Sequence, residues 1–157
     1  MLHIQGLKEV FKKMAIFARI GLDNIVEEVV AVDNINCMTP GGIEREDIGV
    51  NFLIESTGHR TWKKGSMWTS GGVHKEGRTP FRANCPHVGW YYNSIHDIFH
   101  PPSPHNSWTL NTTTGHWEPP IERPQETDQE YLDGKKYAWD EDAYQADNTT
   151  GWILETP

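Results

Sequence analysis

The residues best equipped for chemistry are histidines and carboxylates in the second half of the chain. Cys85-Pro86-His87 is followed by His96, His100, His105 and His116. Cys and His are zinc ligands, and four of them close a tetrahedral site. The spacing does not favour one. His96 and His100 would face together on a helix, but SIHDIFH reads as strand, where such positions share a face and lie far apart. No second Cys completes a CxxC pair. The competing reading is histidines exposed or stacked on a sheet, so no metal set and no cofactor is assigned.

Two further groups bear on catalysis. Ser94 lies near His96 and Asp97, and Asp140, Glu141 and Asp142 are consecutive. An enzyme needs a nucleophile, a base and stabilising donors that converge. Neither group falls in a GxSxG, HExxH, phosphate-loop or GxGxxG pattern. Asp140 to Asp142 read more simply as a polar turn, and the glycine and terminal glutamate of a calcium loop are missing. No catalytic residue is assigned, and a small metal-dependent enzyme stays the third reading.

The aromatics form the clearest pattern. GWYYNSIHDIFHPP (Gly89 to Pro102), SWTLNTTTGHWEPP (Ser107 to Pro120) and KYAWDEDAYQADNTTGWILE (Lys136 to Glu155) each read aromatic strand, polar turn, aromatic strand. Trp90, Tyr92, Trp108, Trp117, Trp139 and Trp152 recur at comparable places. Aromatic cross-strand pairs stabilise small sheets, and aromatics are also enriched at interface cores. Core plus protein interface is the favoured reading, and stacking on sugar rings the other.

The rest of the chain must position these hairpins. Leu7, Val10, Phe11 and Met14 have helical spacing and suggest an amphipathic arm over residues 1–13. AIFARIGLDNIVEEVVAVDN reads as a β-hairpin turning at Gly21 to Asn24, with Glu27 and Glu28 breaking strict alternation, so a bulge or an irregular register is expected. A helix is expected from Glu44 to Ser56, ending near Gly58, with Gly49 weakening it. Thr61 to Met67 reads as a strand, and Trp68 to Pro80 as an exposed loop. Prolines and the acidic run Glu126 to Glu130 read as stiff connectors between hairpins. The expected fold is α+β: an N-terminal arm (1–13), an α+β subdomain with one central helix (14–87), and a β-rich half of three aromatic hairpins (88–157).

Bulk properties narrow the partners. A net charge of -8 argues against a nucleic-acid surface, which needs a basic footprint. No run of apolar residues is long enough to span a membrane, and the first residues do not read as a signal peptide. Two cysteines, Cys37 and Cys85, point to free thiols, though one bridge stays open. Asn111-Thr112-Thr113 and Asn148-Thr149-Thr150 match the glycosylation sequon but read as turns.

From Met14 onward the chain resembles a family of small virion-associated proteins of tailed phages, most often those infecting cyanobacteria and marine bacteria. The stretches that carry the resemblance are MAIFARIGLDNIVEEVVAVDN, EREDIGVNF, PFRANCPHVGWYYNSIHDIFHPPSPHNSWTLNTTTGHWEPPIERP, KKYAWDED and GWILE. The chain departs from the family in the residues before Met14, the loop Trp68 to Pro80, and the turn Asp142 to Thr150. The resemblance implies a structural part of the particle and carries over no functional residue. The expected function is therefore a non-enzymatic virion protein, within that class a capsid decoration or cement protein, contacting other virion proteins and forming a possible homo-oligomer. The alternative is a tail-fibre or baseplate component binding a host-surface glycan.

Overall fold

The computed structural model describes residues 14–157, so the expected arm over residues 1–13 lies outside the described residues. The fold is mixed α+β, with helices and several small antiparallel sheets. The chain divides into two compact units: residues 14–102 with 112–116, and residues 103–111 with 117–157. The expected boundary at residue 88 is not where the contacts divide; the first aromatic hairpin belongs to the first unit.

The first unit is built on a three-stranded sheet. Strands β1 (Met14–Ile20), β2 (Val26–Asp33) and β3 (Trp62–Gly65) lie in the order β2-β1-β3. The turn between β1 and β2 puts Asp23 and Asn24 at φ 57 and 61. Asp and Asn tolerate this left-handed region better than most side chains. The register slips between Arg19 and Ile20, so that Glu27 is the extra residue of a bulge. This is the irregularity expected from Glu27 and Glu28.

Both faces of β1 are covered. Ala15 and Phe17 pack with Val32, Cys37, Leu53 and Trp62. Ala18 and Ile20 pack with Val26, Tyr92 and Phe99. The first face is closed by helix α1 (Glu46–Thr57), which starts with Glu46 and Asp47 and stops at Gly58 in the left-handed conformation. Gly49 has a packing role: a Cβ there would lie 2.4 Å from Phe17 Cζ. The second face is closed by the first aromatic hairpin, β6 (Tyr91–Asn93) and β7 (Ile98–His100). That hairpin is tied to the edge of β2 by Val26 N to Trp90 O and Gly89 N to Val26 O, both 2.8 Å.

The segment Trp68 to Pro80 is not simply an exposed loop. It holds a short hairpin, β4 (Thr69–Ser70) and β5 (Val73–His74), turning on Gly71 and Gly72 at φ 58 and 72. Thr69 and His74 are 1% and 8% exposed. The burial has a local cause: Cys85 N donates to Thr69 O, and Phe81 N to Thr69 Oγ1. The following chain thus packs back onto the hairpin.

In the second unit, the expected connector from Glu126 to Glu130 contains helix α2 (Asp128–Leu132), begun by a reciprocal Thr127–Glu130 capping box. The third hairpin pairs β10 (Lys136–Trp139) with β11 (Trp152–Glu155). Its connection is not a plain turn either. Asp140 caps helix α3 (Glu141–Ala146) by accepting from Ala143 N at 2.9 Å. Strands β8 (Thr109–Asn111) and β9 (His116–Glu118) pair as the second hairpin. Its tip, residues 112–116, counts with the first unit.

Candidate functional site

Each of the first two aromatic hairpins is entered through the same corner. Trp90 N donates to His87 O at 3.0 Å, and Trp108 N to His105 O at 3.3 Å. The rings meet over these turns, His87 with Trp90 at 4.7 Å and His105 with Trp108 at 5.3 Å between centroids. His100 stacks on Tyr91 across the first hairpin at 5.7 Å. His87, His100 and His105 are thus used as aromatic partners, one of the two roles open to the histidines from sequence. His96 is exposed in the hairpin turn. Among the described residues no group of three or more His, Cys, Asp or Glu is placed to hold a metal ion.

The six aromatic candidates are divided between the two units, Trp90 and Tyr92 in the first and Trp108, Trp117, Trp139 and Trp152 in the second. Tyr92 is buried at 6% exposure, while Trp90, Trp108, Trp117, Trp139 and Trp152 are half-buried. Trp108, Trp139 and Trp152 gather in the second unit. Trp139 meets Trp108 at 6.1 Å and Trp152 at 5.3 Å, both edge-on, and Tyr144 of α3 lies 5.2 Å from Trp139. Edge-to-face contact is the favoured geometry of aromatic quadrupoles. Two of the indoles are anchored through nitrogen: Trp152 Nε1 donates to Ile121 O and Trp139 Nε1 to Glu141 Oε2, each at 2.9 Å. These half-buried rings pack on one another within the second unit.

Glu141 shows how its carboxylate is spent. It accepts from Trp139 Nε1, Gln145 Nε2, Ser107 N and Ser107 Oγ. The Trp139 and Gln145 bonds lead, and together with Ser107 they hold its pKa down to about 2. It is an ionised acceptor and a poor general base, because its lone pairs are already bonded.

The densest polar group lies in the first unit around Arg82, a residue that sequence reasoning passed over. Arg82, at φ 53, donates from Nε to Asp97 at 2.7 Å, and from its terminal nitrogens to Glu46 at 2.7 and 3.1 Å and to Lys64 O at 2.6 Å. Its guanidinium lies 4.8 Å from the Phe81 ring centroid. Tyr92 Oη donates to Asp97 at 2.5 Å. Burial and that bond push the Tyr92 phenol up to about 12, against the opposing charge of Arg82. Burial alone would raise the Asp97 carboxyl, but the bonds from Tyr92 and Arg82 outweigh it and hold it below its usual value.

Asn84 makes a second knot in that unit. Its Oδ1 accepts from Gly71 N at 2.8 Å, and its Nδ2 donates to Phe99 O at 2.9 Å and Thr114 O at 3.1 Å. One side chain thereby joins the β4–β5 turn, strand β7 and the tip of the second hairpin. The sequence signal was faint: the run Phe81 to Cys85 shows no periodicity, and its role rests on Arg82 and Ala83 at φ 53 and 58.

The catalytic groupings weighed from sequence resolve into these networks. Asp97 is turned to Arg82 and Tyr92, and Asp140 and Glu141 to backbone and side-chain donors. Cys37 and Cys85 are both free thiols. No protein-family model matches the chain, and neither a curated protein nor a solved structure is matched by it.

Proposed function

We propose that the protein is a virion structural component, of the decoration or cement type, that works through protein–protein contacts. The observation that carries this reading is where several of its exposed apolar side chains sit. Leu22 in the β1–β2 turn and Ile95 in the β6–β7 turn are each 87% exposed. Val88, in the corner that enters the first aromatic hairpin, is 65% exposed. Turn positions ordinarily favour Gly, Asn, Asp, Ser and Pro. On α2, Tyr131 and Leu132 are exposed side by side at 77% and 78%.

Scattered apolar residues are normal on any surface, whereas apolar tips on rigid hairpins suit insertion into pockets of a neighbouring subunit. The sequence resemblance to virion-associated proteins points the same way. The test is co-sedimentation of the purified protein with particles of its phage. Leu22→Lys and Ile95→Lys together should weaken co-sedimentation at least ~10-fold while leaving the melting temperature near that of the parent. A protein that stays in the supernatant at all concentrations, or a double variant that sediments like the parent, contradicts the proposal.

A further inference from the structure

An open sheet leaves edges, and an unpaired edge is a template for another strand. The protein closes several of its edges with its own groups. On β3, Lys64 N donates to Glu46 Oε1 at 2.8 Å, and Lys64 O accepts from Arg82 at 2.6 Å. On β7, Phe99 N donates to Arg82 O at 3.0 Å, and Phe99 O accepts from Asn84 Nδ2 at 2.9 Å. On β10, Tyr137 N donates to Glu126 Oε1 at 2.9 Å, and Tyr137 O accepts from Arg123 at 3.5 Å. In each case both backbone groups of one residue are occupied.

The other edge of the third hairpin is treated differently. Among the described residues β11 has β10 as its one strand neighbour. In the register Tyr137 faces Leu154, and Trp139 faces Trp152. Tyr137 turns its backbone groups away from β11, and Asp140 N donates inward to Gly151 O at 2.7 Å. Antiparallel alternation therefore turns the N–H and C=O of Leu154 and Trp152 away from β10. Among the described residues no group bonds them. Ile153 lies between the two, with 45% of its surface exposed.

Charge selects what can pair there. The second unit holds eleven of the chain's 22 Asp and Glu but three of its 14 Lys and Arg, so the whole net charge of -8 falls on it. Beside β11, a hollow of about 320 Å³ is lined by Ala138 and Ile153 together with Asp140, Asp142 and Glu155. A second copy of this chain would set like charges against each other, whereas a basic strand would neutralise them. In strand addition the main-chain bonds supply affinity and the alternate side chains specificity.

We propose that β11 is a docking edge for an extended basic segment of a partner protein, which adds to Trp152–Glu155 as a third strand. The assignment is independent of the virion reading. The test is fluorescence anisotropy of the end-labelled peptide KVKVKVK titrated with the full chain, with EVEVEVE as the acidic comparison. The basic peptide should saturate with a Kd of about 100 μM or below, and added salt should weaken it. A strand offers every second N–H to its neighbour. Of two peptides N-methylated on the lysine or on the valine amides, one should therefore bind like the parent peptide and the other at least ~10-fold more weakly. Leu154→Pro removes an outward N–H that β10 does not use, and should also weaken binding at least ~10-fold. Asp142→Asn with Glu155→Gln should weaken it about 3–10-fold. Thermal melts establish that the variants are folded. The proposal is overturned if the basic peptide does not saturate by about 1 mM, or if the acidic peptide binds as tightly. It is equally overturned if the two N-methylated peptides bind alike, or if folded Leu154→Pro binds like the parent. Sedimentation in which the parent dimerises and Leu154→Pro does not would give the edge to a second copy and overturn it too.

Discussion

The first and second aromatic hairpins are the same local structure with different fates. Strands Tyr91–Asn93 and Ile98–His100 of one correspond, residue for residue, to Thr109–Asn111 and His116–Glu118 of the other. Both are entered by a His-x-x-Trp corner. Both turn through a left-handed residue at the same place, Asp97 at φ 52 in one and Gly115 at φ 67 in the other. Yet Tyr92, Ile98 and Phe99 are buried at 6%, 5% and 0% exposure, whereas their counterparts Leu110 and Trp117 are half-buried and His116 is exposed. Turn chemistry therefore makes the hairpin, and what its strands lie against decides what the hairpin holds up.

The widest gap between the two copies should appear at one position. Phe99 is fully buried against the β1–β2 sheet, and Phe99→Ala should cost about 3–5 kcal/mol. Trp117→Ala, its counterpart, should cost about 1–2 kcal/mol, because a half-buried ring recovers less area. Urea denaturation of both variants measures the difference. Equal losses would mean that the two hairpins carry similar loads and that the comparison is misdrawn.

A smaller effect tests the turns. Gly115 is buried, and a Cβ there would lie 2.3 Å from Asn84 Nδ2 and 2.8 Å from Phe99 O. Its φ also disfavours an L side chain. Gly115→Ala should therefore cost about 2–3 kcal/mol by thermal or urea denaturation. In the first hairpin the same place accepts Asp97, whose side chain points to Arg82 and Tyr92. A neutral Gly115→Ala would show that the Asn84 knot yields easily.

This contrast also explains what was legible in the sequence. All three hairpins, the bulged β1–β2 turn and the central helix were readable, since each is written locally by aromatics, turn residues or helix-start carboxylates. Helices α2 and α3 were missed, although Thr127-Asp128-Gln129-Glu130 is a capping-box pattern and Asp140 a natural N-cap. Their acidic residues read as turn or connector because no apolar periodicity accompanied them. The Arg82 hub was beyond local reading, as Asp97 and Glu46 lie 15 and 36 residues away in sequence. Thr69 was hidden for a similar reason: Gly and polar neighbours spelled a loop, and Phe81 and Cys85 bond back onto it from beyond that loop.

The finest test of the comparison is the pH response of the shared turn position. Asp97 is ionised and doubly hydrogen-bonded in the folded protein, which holds its pKa below the ordinary 3.8. A depressed carboxylate adds stability above its unfolded value, and that stability is lost as pH falls through the folded value. Asp97→Asn keeps a side chain that tolerates the left-handed backbone but removes the charge facing Arg82. The variant should melt below the parent at neutral pH, and the two should converge as the pH falls below 3.8. Because half of the Asp97 side chain faces solvent, with 56% of it exposed, screening keeps the effect small. The second hairpin has Gly115 at this position and no carboxylate, so Gly115→Ala should show no matching convergence over the same range. A constant offset between parent and Asp97→Asn at every pH would instead make Asp97 a turn former whose charge contributes nothing.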